Sequence, residues 1–438
     1  MLRTLISGGL AVVLLTATPS VAKTAATAAD PADVRDVLAP CDTLLHEVQS
    51  GEHLHGIAGR YRDRAGWYSR SDCLQAIRQA NGLEESDLLR PGDTLRVPLA
   101  ARGPVVQVAA PIQAGADLRG LYLPATLCGR RSVFAHVDRW IAAGGNGVVF
   151  DAKDIDGGVT YASRQPLASY GEGCVGPAIP DLVDLVERLR ARGVWVVARL
   201  ALFLDGRLGA SRPDLALADS LGGVWSERGC VWMDPANPTV RAYNLGLALE
   251  LAQAGVDEIQ VDYVRFPTNG WRGDWQGDLA ATADRRREVV TSFVASLHDS
   301  LASRGTQLSA AVFGIAAWDR TADQALTGQH LASLAPHLDI LCPMIYPSHF
   351  GAGFDGLARP ADEPERVITN AVVRSLELAA GGPVVRPWLQ AFGWGVEAYD
   401  HAYVQTQIQA AEAAGADGWC LWNPIGCYEV ALGGVSYP

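Results

Sequence analysis

The chain has 438 residues, with 36 Lys and Arg against 48 Asp and Glu, a formal charge of −12. An acidic balance of this size excludes nucleic acid and anionic lipid as main partners, because both call for a net basic face. Apolar residues make up 49%, enough for one large core and a small second one. No CxxC pair or HExxH motif occurs, so neither a metal nor a cofactor is expected.

At the N-terminus Arg3 precedes an apolar run from Leu5 to Ala17, which with its glycines is too short to span a bilayer. Small residues follow, with Ser20-Val21-Ala22 and Ala26-Thr27-Ala28 as cleavage options. Residues 1–29 therefore read as a secretory signal peptide. No later segment is long and apolar enough to span, so the mature chain is expected outside the cytoplasm, with no integral membrane segment. Eight cysteines in an exported chain are expected to pair at least in part.

Residues 41–98 form a compact unit. HEVQSGEHLHGIAGRY reads as a strand, a turn at Gly51 and a helix carrying Leu54, Ile57, Ala58 and Tyr61 on one face. CLQAIRQANGL gives a second helix stopped at Gly82, and LLRPGDTLRVP a turn at Pro91-Gly92 followed by a closing strand. The order is βααβ. Its opening V-x-x-G-E-x-L-x-x-I-A, the A-N-G-L helix end and the L-x-P-G-D-x-L-x-V-P close resemble a LysM domain over the whole unit. That resemblance implies binding to glycans containing N-acetylglucosamine, peptidoglycan above all. The stretch from Arg62 to Asp72, with Trp67 and Tyr68, is longer than the pattern. A Cys41–Cys73 bridge would tie the entry to the second helix. The alternative for such a module is docking or oligomerisation, because a fold does not fix a function.

Residues 99–117 are a linker rich in Pro, Ala, Gly and Val, without periodicity. From 118 to 438 strands alternate with helices. Strands are predicted at 120–124, 147–154, 194–204, 258–267, 307–315, 339–347, 384–392 and 418–423. Amphipathic segments such as DLVDLVERLRARG lie between them, most closed by glycine. Eight such repeats predict a (β/α)8 barrel, with its chemistry at the strand C-termini; a doubly wound open sheet is the runner-up.

Those strand ends are polar. Strand two closes FDAKD, with Asp151 and Lys153 expected on one face and Asp154 past the tip. Strand three carries Arg199 among apolar residues. On strand four, VDEIQVDYVRFP, alternation sets Gln260, Asp262 and Val264 against Ile259, Val261 and Tyr263, with Arg265 just beyond. A carboxylate buried there is costly unless something binds or reacts, the alternative being a structural Asp–Arg pair. Strand five runs into Asp319, strand six offers Tyr346 and His349, strand seven Trp388 and Gln390, and strand eight Trp422 and Asn423. Aromatic faces stack on sugar rings, while carboxylates and guanidinium groups fix hydroxyls.

GVVFDAKDIDGGVTY, VDEIQVDYVRFP, CPMIYPSHF, RPWLQ and CLWNP together resemble a bacterial family of glycoside hydrolase-like (β/α)8 barrels of largely unassigned activity. In many of its members an Asp follows the RPWLQ stretch, where this chain has Ala391. Strand four is also faintly similar to the family 18 chitinases' D-G-x-D-x-D-x-E, but Val264 stands where their Glu would be. It is nearer the α-amylase clan, whose nucleophile Asp is followed three positions later by a basic residue, as Asp262 is by Arg265. That clan's strand-five Glu has no counterpart here.

The resemblance implies an exported, wall-associated glycoside hydrolase acting on a polysaccharide. Asp262 is expected as nucleophile or base and Asp151 as its partner, with Asp154 and Asp319 in reserve. Lys153, Arg199 and Arg265 would orient the carboxylates, and Tyr346, His349, Trp388, Gln390, Trp422 and Asn423 would line the sugar subsite. The alternative is a glycan-binding scaffold whose barrel lacks complete catalytic machinery.

Overall fold

A computed structural model describes residues 43–99 and 117–434, apart from 63, 64, 66, 68, 69, 85, 171–175, 220, 228 and 269–282. The expected signal peptide, Cys41, Tyr68 and nearly all of the linker lie outside the described residues. The chain divides into two compact units, 1–105 and 106–438.

The first unit has the expected βααβ order: β1 (Thr43–Glu47), α1 (Leu54–Tyr61), α2 (Arg70–Asn81) and β2 (Thr94–Pro98). The two strands pair antiparallel, Thr43 opposite Pro98. Ile57, Ala58, Cys73, Ile77, Leu95 and Val97 meet in one small core. Asn81, the last residue of α2, donates to the Arg96 carbonyl and accepts from its N–H, which fixes the helix to the closing strand. Trp67 packs inward and donates to the Pro98 carbonyl at 2.7 Å, so the long segment adds to the core. Cys73 is a buried free thiol and its expected partner Cys41 is not described. Cys230, Cys342, Cys420 and Cys427 are also free thiols.

The second unit is a closed parallel barrel. Its strands are β3 (Leu118–Leu123), β4 (Gly147–Lys153), β5 (Trp195–Ala201), β6 (Glu258–Asp262), β7 (Gln307–Phe313), β8 (Ile340–Ile345), a seventh strand in two pieces, β9 (Val384–Val385) and β10 (Trp388–Gln390), and β11 (Gly418–Trp422). Each neighbour pair is hydrogen-bonded in parallel, and β11 returns to β3, Gly418 beside Leu118, to complete the ring. The seventh strand breaks at Pro387, which has no N–H to give the ladder.

Helices cover the outside, including α3 (Ser132–Ala142), α4 (Leu182–Arg190), α5 (Pro238–Gln253), α6 (Ala283–Ala302), α7 (Pro364–Ala379) and α8 (His401–Ala413). Side-chain caps start several of them: Asp181 on α4, Asn237 followed by Pro238 on α5, and Asp400 on α8. Val133, Val137 and Trp140 of α3 are fully buried against the sheet, each burial contributing roughly 1.5–3 kcal/mol. Among the described residues no helix is long and apolar enough to cross a membrane.

Strand alternation on β6 is as expected, with Glu258, Gln260 and Asp262 turned inward. Glu258 pairs with Arg386 at 2.8 Å and Gln260 accepts from Trp388 Nε1 at 3.0 Å. The strand ends sooner than the predicted 267, however. Tyr263 takes a left-handed backbone (φ 51°), which no strand can continue. Strand five likewise stops at Phe313 and passes into a 3-10 turn, Gly314–Trp318.

Candidate active site

The inward face at the C-terminal end of the barrel is built on one guanidinium. Arg199 on β5 donates from Nη1 to Asp151 Oδ1 at 2.5 Å, and from Nε and Nη2 to Asp262 Oδ2 at 3.0 and 2.7 Å. Both carboxylates are buried. The second oxygen of Asp262 accepts from the N–H of Tyr263 at 2.6 Å, the residue in the left-handed conformation. The second oxygen of Asp151 accepts from the Tyr122 hydroxyl at 2.5 Å.

Charges in this group are strongly coupled. Burial raises the Asp151 carboxyl to about 6; the charge of Asp154 adds to this, while Arg199 and the Tyr122 hydroxyl pull the other way. Burial draws the Arg199 guanidinium down, but Asp151 and Asp262 outweigh it and hold it well above its ordinary value. Burial, then Asp151, pushes the Tyr122 phenol up. Tyr122 was not foreseen as a site residue. Its signal was parity, since it faces inward from strand one in the same sense as Leu118.

Lys153 corrects the reading of strand two. Ladder pairing runs Asp151 to Arg199 and then Lys153 to Leu200, so Ala152 is an extra residue, a β-bulge. The bulge inverts the parity of everything after it. Lys153 turns outward, fully buried, onto Asp205 at 2.7 Å, the Leu202 carbonyl and Asn244 of α5. It therefore orients neither Asp151 nor Asp262. Room for Asp205 depends on Gly157 (φ 93°), where an added Cβ would lie 1.8 Å from Asp205 Oδ1.

By the same inversion Asp154 points inward. On the ladder Asp151 is level with Arg199 and Gln260, while Asp262 stands beside Ala201. Asp154 follows Lys153 just past the end of β4. It is half-exposed, its Oδ1 accepts from Ile155 N, and its charge is felt by Asp151, Tyr122 and Tyr263.

Arg265 is also turned away from the expected role. It is buried over the rings of Phe313 at 4.3 Å and Trp232 at 4.5 Å, and it donates to the Phe266 carbonyl. Asp319, in a left-handed turn, is held by Gln324 and lies 3.7 Å from His330; no contact links it to the Arg199 group. Gln390 and Asn423 hold loops by hydrogen bonds to backbone, Asn423 through the Ala391 carbonyl and the N–H groups of Ile425 and Cys427. Trp388 is buried on Gln260.

The aromatic residues do converge. Tyr346 stacks on Trp422, centroids 5.1 Å apart and planes 25° apart, and Phe392 closes edge-on against both. His349 packs on Tyr346 and Phe392. Burial takes its imidazole down to about 4. Among the described residues no cluster of His, Cys, Asp or Glu is arranged to hold a metal ion.

The domain is a closed (β/α)8 barrel whose mouth combines paired carboxylates, a bridging guanidinium and an aromatic wall. The chain belongs to the family described as "Putative glycosyl hydrolase domain", which matches residues 120–428, and carries a LysM domain at residues 46–98.

Two of the solved structures that the chain resembles share the fold. A β-galactosidase from the psychrophilic Marinomonas ef1 superposes with a TM-score of 0.52 at 12% identity, over 73% of this chain and 58% of that one. The PgaB (BpsB) glycoside hydrolase domain from Bordetella bronchiseptica gives 0.50 at 15%, over 71% and 95%. A hypothetical protein from Ruminiclostridium thermocellum ATCC 27405 is 28% identical, over 43% of this chain and 96% of that one, with a TM-score of 0.38. No curated protein sequence matches the chain.

Proposed function

We propose that the protein is an exported, cell-wall-associated glycoside hydrolase, tethered by its LysM unit to peptidoglycan or another glycan containing N-acetylglucosamine. The observation that carries the reading is the Arg199 bridge, which aligns Asp262 at the end of β6 with one oxygen on a cation and the other on a backbone N–H. Both oxygens of Asp262 are thus fixed in place by hydrogen bonds. Asp262 is then the nucleophile, or the base that activates water.

Hydrolysis also needs a proton on the leaving oxygen. Asp151 is the expected partner of Asp262, but both of its oxygens are engaged and it is only 1% exposed. We assign that transfer to Asp154, half-exposed and near enough to Asp151 for its charge to be felt there. Asp151 becomes the positioning group that holds Arg199.

Peptide-free peptidoglycan glycan strands incubated with the full chain should gain reducing ends, and Asp262→Asn should stop this. Strands and related wall glycans left uncut by the wild type would refute the reading. Deleting residues 41–98 should weaken binding to sacculi, since each unit has its own core; equal pull-down would refute the tether. Export predicts a mature N-terminus between Lys23 and Asp30, readable by N-terminal sequencing; an exported chain still starting at Met1 would contradict cleavage.

The second reading is a glycan-binding barrel without turnover. It is favoured by the same bridge, because a guanidinium satisfying two carboxylates is also a stable structural ion pair. Binding of wall glycans with no new reducing ends distinguishes it.

A further inference from the structure

We propose that Trp394 is an outer sugar platform, which stacks on a pyranose ring of the glycan strand beyond the reacting bond. The proposal rests on the glycan-processing reading and adds to it a binding position that the sequence did not suggest. The aromatic wall begins at the carboxylates, where the charges of Asp262 and Arg199 act on the Tyr346 hydroxyl. It continues through the Tyr346–Trp422 stack and Phe392 to His349, and from His349 to Trp394, 5.4 Å away with the planes at 36°. Trp394 ends the row and is 43% exposed, whereas Tyr346 is buried. A large ring left open at the edge of a packed row marks a contact surface more often than a defect.

The position of the ring is built rather than incidental. Gln390 is completely buried, and every polar group it has is used. Its backbone N–H and carbonyl are paired with the side chain of Gln407. Its side-chain oxygen accepts from Ser348 N at 3.1 Å, and its amide nitrogen donates to the carbonyls of Phe392 at 2.9 Å and Trp394 at 3.3 Å. One buried amide thus ties the loop carrying His349 to the loop carrying Trp394. Gly395 (φ 73°) allows the approach, since an added Cβ would lie 3.0 Å from Ser348 Cβ. Holding both rings before anything binds removes the entropy of ordering them later, which is how a preorganised site gains affinity.

The chemistry of the row selects the occupant. Its imidazole, His349, is neutral above about pH 4 because it is buried, and burial pushes the Tyr346 phenol up as well. The row therefore offers uncharged π faces alongside carboxylates, which suits a ring with an apolar C–H face and hydroxyl edges. A purely apolar ligand would desolvate the carboxylates without offering them hydrogen-bond donors. With one sugar over Tyr346 and Trp422, the strand runs outward along an unbroken aromatic surface to Trp394.

Tryptophan oxidation by N-bromosuccinimide, read residue by residue by mass spectrometry, tests this on the full chain. The probe is peptide-free peptidoglycan glycan strands, with the wild type on ice and Asp262→Asn in parallel so that strands stay intact. Trp394 oxidation is expected to slow several-fold when strands are added; an unchanged rate overturns the platform, because strands held only by the LysM unit leave Trp394 open. In wild-type background, Trp394→Ala is expected to raise KM on strands about tenfold, equivalent to about 1.4 kcal/mol; an unaltered KM also overturns it. Protection of Trp394 on strands that the wild type never cuts retires hydrolysis and keeps the platform. Cleavage without protection retires the platform alone.

Discussion

Asp151 and Lys153 stand two residues apart on β4 yet face opposite sides of the barrel wall, because Ala152 is a bulge. One extra residue sends Lys153 to Asp205 behind the sheet and brings Asp154 round to the mouth. The carboxylate of Asp154 is thereby brought within electrostatic reach of Asp151 and Tyr263.

Lys153 and Asp205 are therefore expected to matter for stability. Lys153→Ala leaves Asp205 buried beside Gly157 without its cation, a loss of roughly 3–5 kcal/mol. Urea unfolding measures it. A change below about 1 kcal/mol would mean that Asp205 is held well enough by the Leu208 N–H, which donates to its Oδ1.

Asp262→Asn keeps shape and removes charge. With Asp151 still on Arg199 the fold should hold, and turnover of glycan strands should fall roughly 10²–10⁴-fold, the usual contribution of such a group. A structural pair predicts the reverse, unaltered turnover or a melting temperature that collapses. Measuring both on one variant decides. The anomer of the first product, followed by NMR, separates a retaining from an inverting route.

The raised Asp151 carboxyl sets a pH dependence. In the unfolded chain it ionises near 3.8, but in the fold only near 6. Between these values the unfolded chain has lost a proton that the folded one keeps, so the stabilisation is full below the lower value and lost as pH rises through 6. Asp151→Asn should remove this slope from the wild-type stability curve. His349 acts in the opposite sense: held at about 4 rather than 6.5, it contributes stability above 6.5 that is lost as pH falls through 4. Because the ionised Asp151 holds Arg199, kcat/KM should also fall as pH drops through about 6. An identical acid limb in Asp151→Asn would assign it elsewhere.

Tyr263 is held in a conformation that costs a bulky residue roughly 1–3 kcal/mol. Glycine adopts it freely and a β-branched residue does so worst. Tyr263→Val should therefore be less stable than Tyr263→Gly, although valine buries more apolar surface. The reverse order in chemical unfolding would show that ring packing on Trp232 and Arg265, not the backbone, governs this turn.

Much of the site was legible before any coordinates. Period-two alternation turned Asp262 and Gln260 inward on β6, and Arg199 among apolar neighbours required carboxylate partners, which it has. Tyr122 followed the same rule and was overlooked for want of a charge. Lys153 and Arg265 were misread because alternation assumes an unbroken strand. A bulge after Asp151 and a left-handed residue after Asp262 each break it.

The sequence by itself determined the two units, the βααβ order, the eight strand–helix repeats and the polar residues at the strand ends. These depend on local periodicity and turn residues, which are written along the chain. Only the tertiary structure decided which of those polar groups meet, that Asp205 takes Lys153, that aromatic faces take Arg265, and that Gln390 braces two loops rather than facing the mouth. Each outcome depends on partners more than thirty residues away or on a one-residue slip in register, and neither leaves a mark in local composition.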